Sequence, residues 1–98
     1  MEKSGMEKET RSALKKLKEN RKKIDLLDHK LLTLLNQRLR LATEIGKIKK
    51  EMGKNIYDPG REKEVFEGLG RKNRGPLKEE DLKKIFATIM KACRKSQI

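Results

Sequence analysis

An arginine interrupts the longest apolar pattern of the chain. Counting by sevens from Leu17 gives positions 17, 24, 31, 38, 45 and 52, with a companion row at 27, 34, 41 and 48; both rows are apolar except at Arg38. Because an unpaired buried guanidinium is costly, this residue needs a partner. Two interpretations are open: an ion pair with Glu44 or Asp28 that sets a helix register, or a pocket where the guanidinium binds a carboxylate with two hydrogen bonds.

Two more cations border the same face of the predicted helix. Lys49 follows Arg38 by 11 residues, which places it about 20° off the same face and about 16 Å along the axis. Two long side chains at that separation could hold a molecule the size of a substituted six-membered ring. Arg21 is about 25 Å from Arg38 along the helix, so it could reach the same ligand only from an antiparallel partner helix. Taken singly, Arg21 and Lys49 could instead be solvated surface charges with no role in binding a ligand.

Further polar candidates lie near the ends of the other two predicted helices. Asp58 is a typical N-cap before Pro59, and Arg61 and Glu62 follow it in the first turn, where they could simply be surface charges. Gln97 continues an apolar stripe of the third helix with a polar side chain. Arg38 and Gln97 are therefore the two positions that break their own patterns.

Other reaction chemistries have little support in the sequence. His29 falls on the outer face of the long helix with no second histidine, and Cys93 on an apolar stripe is more typical of a core residue than of a nucleophile. We find no spacing of metal ligands, no glycine-rich phosphate loop and no Ser/His/Asp set. An enzyme with this sequence is expected to use no metal, no cofactor and no covalent intermediate.

The elements that would position these residues are all helical. The apolar rows predict one helix from about Ser12 to Met52, a short helix after Asp58 and a third from Leu77 to the C-terminus. Residues 1–11 are interpreted as a flexible arm and residues 12–98 as one domain. A helix of about 40 residues is about 60 Å long, which is too long for the rest of this chain to cover. The sequence therefore predicts an all-α homodimer.

The net charge limits the classes of partner that the protein could bind, but it does not select one class. The net charge of +12 would attract nucleic acid, an anionic membrane surface or a small dianionic substrate. No apolar run is long enough to span a bilayer and no signal peptide is evident, so a soluble, cytoplasmic protein is expected. The single cysteine fits a reducing compartment.

Three segments together resemble the all-helical class of chorismate mutases. They are ENRKKIDLLDHKLLTLLNQRLRLATEIGKIK, IYDPGREKEV and IFATIMKACRKSQ, and they cover roughly residues 17–97. The third helix is similar to that of the mutase domain that precedes prephenate dehydratase in bifunctional enzymes. The resemblance implies an intertwined homodimer of one long and two shorter helices, with chorismate as substrate and two active sites built from both chains.

The resemblance also implies roles for the cationic residues. Arg38 and Arg21 of the partner subunit would bind the two carboxylates of chorismate, with support from Arg61. Lys49 and Gln97 would hydrogen-bond the ether oxygen, where negative charge grows during the rearrangement to prephenate.

The same resemblance assigns the remaining site residues. Glu62 and Asp58 would hold the ring hydroxyl. Cys93 stands where the family often has serine, so it is either a substrate contact or a packing residue.

Three alternatives stay open from the sequence. An isochorismate-pyruvate lyase would share the scaffold and a similar cationic pocket. A basic helical nucleic-acid-binding dimer would explain the charge but not Arg38, and a structural coiled-coil dimer would leave Gln97 unexplained. The sequence also leaves open whether the chain is a free-standing enzyme or one domain of a bifunctional protein.

Overall fold

The chain folds into three helices. The computed structural model describes the backbone of residues 2–98 and the side chains of residues 5 and 7–98. Helix α1 spans Glu2–Glu51, α2 spans Pro59–Lys72 and α3 spans Glu79–Ser96. No strand occurs within residues 2–98, which confirms the predicted all-α class and the order of one long and two shorter helices. None of the helices in this range is both long and apolar enough to cross a membrane.

Helix α1 begins about ten residues earlier than its apolar rows predict. Residues 2–11, expected to form an arm, lie within the helix. This stretch is rich in glutamate and lysine, which favour helix even without an apolar face. Glu7 and Arg11 add an exposed ion pair one turn apart, with 3.7 Å between their charged atoms. The helical conformation of residues 2–11 therefore follows from helix propensity rather than from apolar periodicity. The domain boundary after residue 11 stays a prediction.

The described residues divide into two compact units, the first ending at Leu34 and the second spanning residues 35–98. The first unit consists of the N-terminal part of α1. Its large apolar side chains are exposed in the single chain, among them Leu17 (44%), Ile24 (55%) and Leu31 (56%). This part of the apolar rows is therefore left without cover by the chain itself.

The second unit contains the small core. Its buried apolar residues are Ala42 of α1 and Leu82, Met90 and Cys93 of α3. These three α3 residues belong to the apolar stripe predicted for the third helix, whereas Ile85 is 48% exposed. The predicted stripe consists of Leu82, Ile85, Phe86, Ile89, Met90 and Cys93. The core is therefore built along the side of α3 that ends at Cys93.

Helix α2 begins with the predicted cap. Asp58 Oδ1 accepts a hydrogen bond of 3.0 Å from the backbone N–H of Arg61, and Pro59 occupies the first turn, where a missing N–H is harmless. The helix ends at Lys72, and the backbone N–H of the C-cap residue Asn73 donates to the Leu69 carbonyl. The sequence thus predicts both the start of α2 and the residue that caps it.

Helix α3 begins two residues later than predicted. Leu77 lies outside it, and the extended residue Lys78 precedes the first turn. Three consecutive acidic residues fill that turn, where carboxylates interact favourably with the helix dipole. They are Glu79, Glu80 and Asp81.

Candidate active site

Arg38 contacts α3 through sulfur. Its Nη1 donates to Sγ of Cys93 across 2.9 Å, and the arginine is half-buried while Cys93 is buried. Glu44, one of its possible ion-pair partners, instead pairs with Lys47 at 3.2 Å. Because a thiol is a weak acceptor, this contact orients the guanidinium without neutralising it. Arg38 can therefore still bind an anion.

Lys49 and Gln97 meet at the ends of α1 and α3. Lys49 Nζ donates to the carbonyl of Ile56 at 2.7 Å and lies 3.5 Å from Oε1 of Gln97. Because Lys49 contacts the amide oxygen, the NH2 group of Gln97 can still donate hydrogen bonds to a ligand. Gln97 is the C-cap residue of α3.

A glycine makes the approach of α3 to α1 possible. A Cβ atom added to Gly46 would lie 2.7 Å from Cβ and 2.8 Å from Cα of Gln97. Side chains do not normally approach a backbone that closely. The absence of a side chain at position 46 therefore lets Gln97 reach Lys49.

Asp58 and Arg61 serve local roles on α2 in the single chain. Asp58 is exposed and caps the helix, as described above. Arg61 is also exposed, and its Nη1 pairs with Oε2 of Glu64 at 3.3 Å. The structure thus leaves both residues at the start of α2, without a direct contact to Arg38 or Lys49 within the described part of the chain.

Glu62 forms an ion pair that joins α2 to α3. Its Oε2 accepts from Nη1 of Arg94, and both side chains are partly buried. The same guanidinium lies over the ring of Tyr57, with 5.2 Å between Arg94 Cζ and the ring centroid. Arg94 follows Cys93 directly and precedes Gln97 by three residues. Glu62 is therefore tied to the segment of α3 that carries the other two site residues.

Sequence reasoning missed Arg94 and Tyr57. A signal for Arg94 was present, because a row of every fourth residue on α3 is apolar until its last member. The row consists of Leu82, Phe86, Met90 and Arg94. An arginine that ends an apolar row needs a partner for its charge, as Arg38 does within α1. Tyr57 carried no comparable signal, since its position depends on the loop between α1 and α2.

Arg21 and Asp28 belong to the first unit of the chain. Both are exposed on α1. The single chain neither supports nor contradicts the expectation that Arg21 serves the site of a partner subunit.

A groove in the second unit lies beside Tyr57 and Glu62. Its volume is about 990 Å³, and Tyr57, Glu62, Phe66 and Leu82 are among its lining residues, whereas Arg38, Lys49 and Gln97 are not. We place the candidate site at Arg38, Lys49 and Gln97 rather than in the groove, because these three residues supply the hydrogen-bond donors. Those donors could bind a small molecule that carries carboxylates and a further polar oxygen.

Comparisons with known proteins agree on one family. The family model described as chorismate mutase type II matches residues 20–98. A bifunctional chorismate mutase/prephenate dehydratase of Aquifex aeolicus is 42% identical over 84 residues, which cover 82% of this chain and 23% of the relative. The chain thus spans about a quarter of the length of that bifunctional relative.

Shorter proteins match over more of their length. A chorismate mutase of Methanocaldococcus jannaschii is 43% identical over 56 residues, which cover 57% of each chain. The solved structure of chorismate mutase (form II) from Thermus thermophilus is similar with a TM-score of 0.82 and 36% identity. That similarity covers 84% of this chain and 93% of the other. Sequence and fold therefore point to the same family.

Proposed function

Because the chain belongs to the chorismate mutase type II family, we propose that it catalyses the rearrangement of chorismate to prephenate. The observation that carries this proposal is that Lys49 lies against Gln97 at the end of α3, one turn after Cys93, the residue that Arg38 contacts. The reaction is a concerted shift within one molecule, so it requires no acid, base or cofactor. The protein contributes by holding a reactive conformer and stabilising the charge that develops.

The cations serve first to fold the substrate. Chorismate carries one carboxylate on its ring and one on its enolpyruvyl arm, and the arm must lie over the ring to react. Arg38 binds one carboxylate with its two-pronged guanidinium. Arg21 of the partner subunit binds the other, with Arg61 supporting the clamp. The net charge of +12 adds a long-range attraction for the dianion.

Lys49 and Gln97 stabilise the transition state. As the bond from the ether oxygen to the ring breaks, negative charge grows on that oxygen. The ammonium group of Lys49 is held by the Ile56 carbonyl and by Gln97, and the Gln97 amide has its NH2 group left to donate. Donors fixed before the reaction need no reorganisation at the barrier. A total barrier reduction of about 8 kcal/mol would place the enzyme at the low end of known rate enhancements.

The carboxylates of α2 hold the ring hydroxyl. Glu62 accepts a hydrogen bond from it, and Asp58 contributes as a second acceptor while it caps the helix. Cys93 acts mainly on Arg38, through the 2.9 Å contact with its guanidinium.

The active unit is a homodimer whose two sites are shared between the chains. The exposed apolar rows of the first unit support this proposal, since apolar surface of this extent normally marks an interface. Neither nucleic acid nor a membrane is proposed as a partner. We propose the cytoplasm as the compartment, because the one cysteine is a free thiol, as expected in a reducing environment.

The test is conversion of chorismate by the purified protein, followed by the loss of chorismate absorbance with prephenate identified as product. Arg38→Ala should lower kcat/KM roughly a hundredfold, because two hydrogen bonds to charged groups at about 1.5 kcal/mol each are lost. Arg40→Ala is the matched control, since Arg40 is an exposed arginine on the same helix.

Two outcomes would contradict the proposal. Full activity of Arg38→Ala would remove Arg38 from the site. A folded wild-type protein that leaves chorismate intact but releases pyruvate from isochorismate would instead be a lyase on this scaffold.

A further inference from the structure

The ion pair between Glu62 and Arg94 differs from the others in the described part of the chain. Those others join residues three or four apart on one helix, and their side chains are 54–79% exposed. Glu62 and Arg94 are 32 residues apart, on α2 and α3, and their side chains are only 23% and 33% exposed. A partly desolvated pair is more strongly coupled than an exposed one, so it can fix the geometry of both groups.

The pair also leaves Glu62 able to accept a further hydrogen bond. Arg94 contacts Oε2 of the carboxylate, and a carboxylate can accept several hydrogen bonds through its two oxygens. Oε1 is therefore available to a ligand hydroxyl, while the bond to Oε2 restrains rotation of the group.

Arg94 is itself restrained from three directions. Its guanidinium is paired with Glu62 and lies 5.2 Å from the centroid of the Tyr57 ring, where a cation is attracted by the ring face. Its backbone carbonyl accepts from the N–H of Gln97. Arg94 thus links the start of α2, the preceding loop and the end of α3.

We propose that Arg94 is a positioning residue that acts through Glu62. It fixes the Glu62 carboxylate so that Oε1 receives the ring hydroxyl of the substrate, and Tyr57 holds the guanidinium in place. This inference rests on the proposed function, because it assumes that the substrate is chorismate. Arg94 itself does not touch the substrate in this arrangement.

The test compares two substrates and a pair of substitutions. The substrates are chorismate and the analogue in which hydrogen replaces the ring hydroxyl. Arg94→Gln should lower kcat/KM for chorismate about tenfold to a hundredfold, the range for a lost hydrogen bond to a charged group. It should cause no comparable loss with the analogue, which has no hydroxyl for Glu62 to hold. The double variant Arg94→Gln/Glu62→Gln should be no worse than Glu62→Gln alone.

Two further variants serve as controls for the loss of positive charge. Lys95→Gln removes the same charge from an exposed neighbour and should leave kcat/KM nearly unchanged. Arg94→Lys keeps the charge but not the planar fork, so it should show a smaller loss, again confined to chorismate. It carries the comparison if Arg94→Gln does not fold, as judged by circular dichroism.

The outcomes separate this inference from the proposed function. Equal losses with both substrates, or additive losses in the double variant, would make Arg94 a residue of general structural importance and overturn the inference. Wild-type protein that converts neither substrate would overturn the proposed function and the inference with it.

Discussion

At the scale of single residues, the candidate site combines strong donors with acceptors that carry no charge. Arg38 is held by the sulfur of Cys93, and Lys49 by a carbonyl and an amide. None of these acceptors carries a formal charge. The two cations are therefore oriented by the protein while their charge remains available to an anionic ligand, as electrostatic preorganisation requires.

The neutral amide of Gln97 leads to a prediction about pH. In Gln97→Glu, the new side chain can donate to the ether oxygen only when it is protonated. The kcat/KM of this variant should therefore rise as the pH falls toward the ordinary pKa of a glutamate side chain, about 4.3. The wild-type amide does not titrate, so its profile over the same range is the reference. A constant ratio of variant to wild-type kcat/KM at all pH values would remove Gln97 as a donor.

At the scale of helices, the end of α3 is the part that makes most of the contacts within the candidate site. Cys93, Arg94 and Gln97 lie within five consecutive residues and contact α1, α2 and the loop between them. Small shifts of this one segment would move three contacts together. Gly46 sets its distance from α1, because any side chain at this position would collide with Gln97.

Gly46→Ala should therefore lower activity without lowering the stability of the helix. Alanine favours the helix by up to about 1 kcal/mol over glycine, yet its Cβ would displace Gln97. We expect kcat/KM to fall at least about tenfold, the equivalent of one lost hydrogen bond to a charged group. Gly5→Ala, in the same helix and with nothing within 4 Å of the added Cβ, is the control and should keep full activity. Thermal unfolding and turnover would be measured on both, and unchanged turnover in Gly46→Ala would contradict this role.

The sequence predicted the helices better than the contacts between them. Apolar periodicity and the Asp58 cap are local signals, and they located α2 at its first residue. The start of α1 was missed because helix propensity leaves no periodic pattern. The Glu62–Arg94 pair was missed because it joins residues far apart in the chain, so it depends on how α2 and α3 pack. The contact of Arg38 with Cys93 has the same origin.

At the scale of the whole molecule, the first unit has a composition suited to an interface. Its exposed leucines and Ile24 are interspersed with basic residues, including Arg21. A single chain would expose this apolar surface to water at a cost proportional to its area. In the proposed dimer, burial against a second chain would remove that cost and would bring Arg21 to a site formed by other residues.

Mixed dimers test whether the sites are shared. Arg21→Ala and Arg38→Ala homodimers should each be nearly inactive, because every site lacks one carboxylate clamp. After subunit exchange, a heterodimer would contain one site with both substitutions and one with neither. Half of the chains in a fully exchanged equal mixture lie in heterodimers, so activity should recover to about a quarter of wild type on statistical grounds. No recovery after exchange, verified by native mass spectrometry, would place each site within one chain.

The position of Tyr57 gives the protein an optical label of its own. It is the single tyrosine of a chain without tryptophan, so the intrinsic fluorescence of the protein arises almost entirely from this one ring. A guanidinium lies 5.2 Å from the ring centroid, and the same group is paired with Glu62. A ligand that rearranges this pair therefore alters the emission of an unlabelled protein. Binding of non-absorbing, unreactive compounds can be followed in this way, separately from turnover.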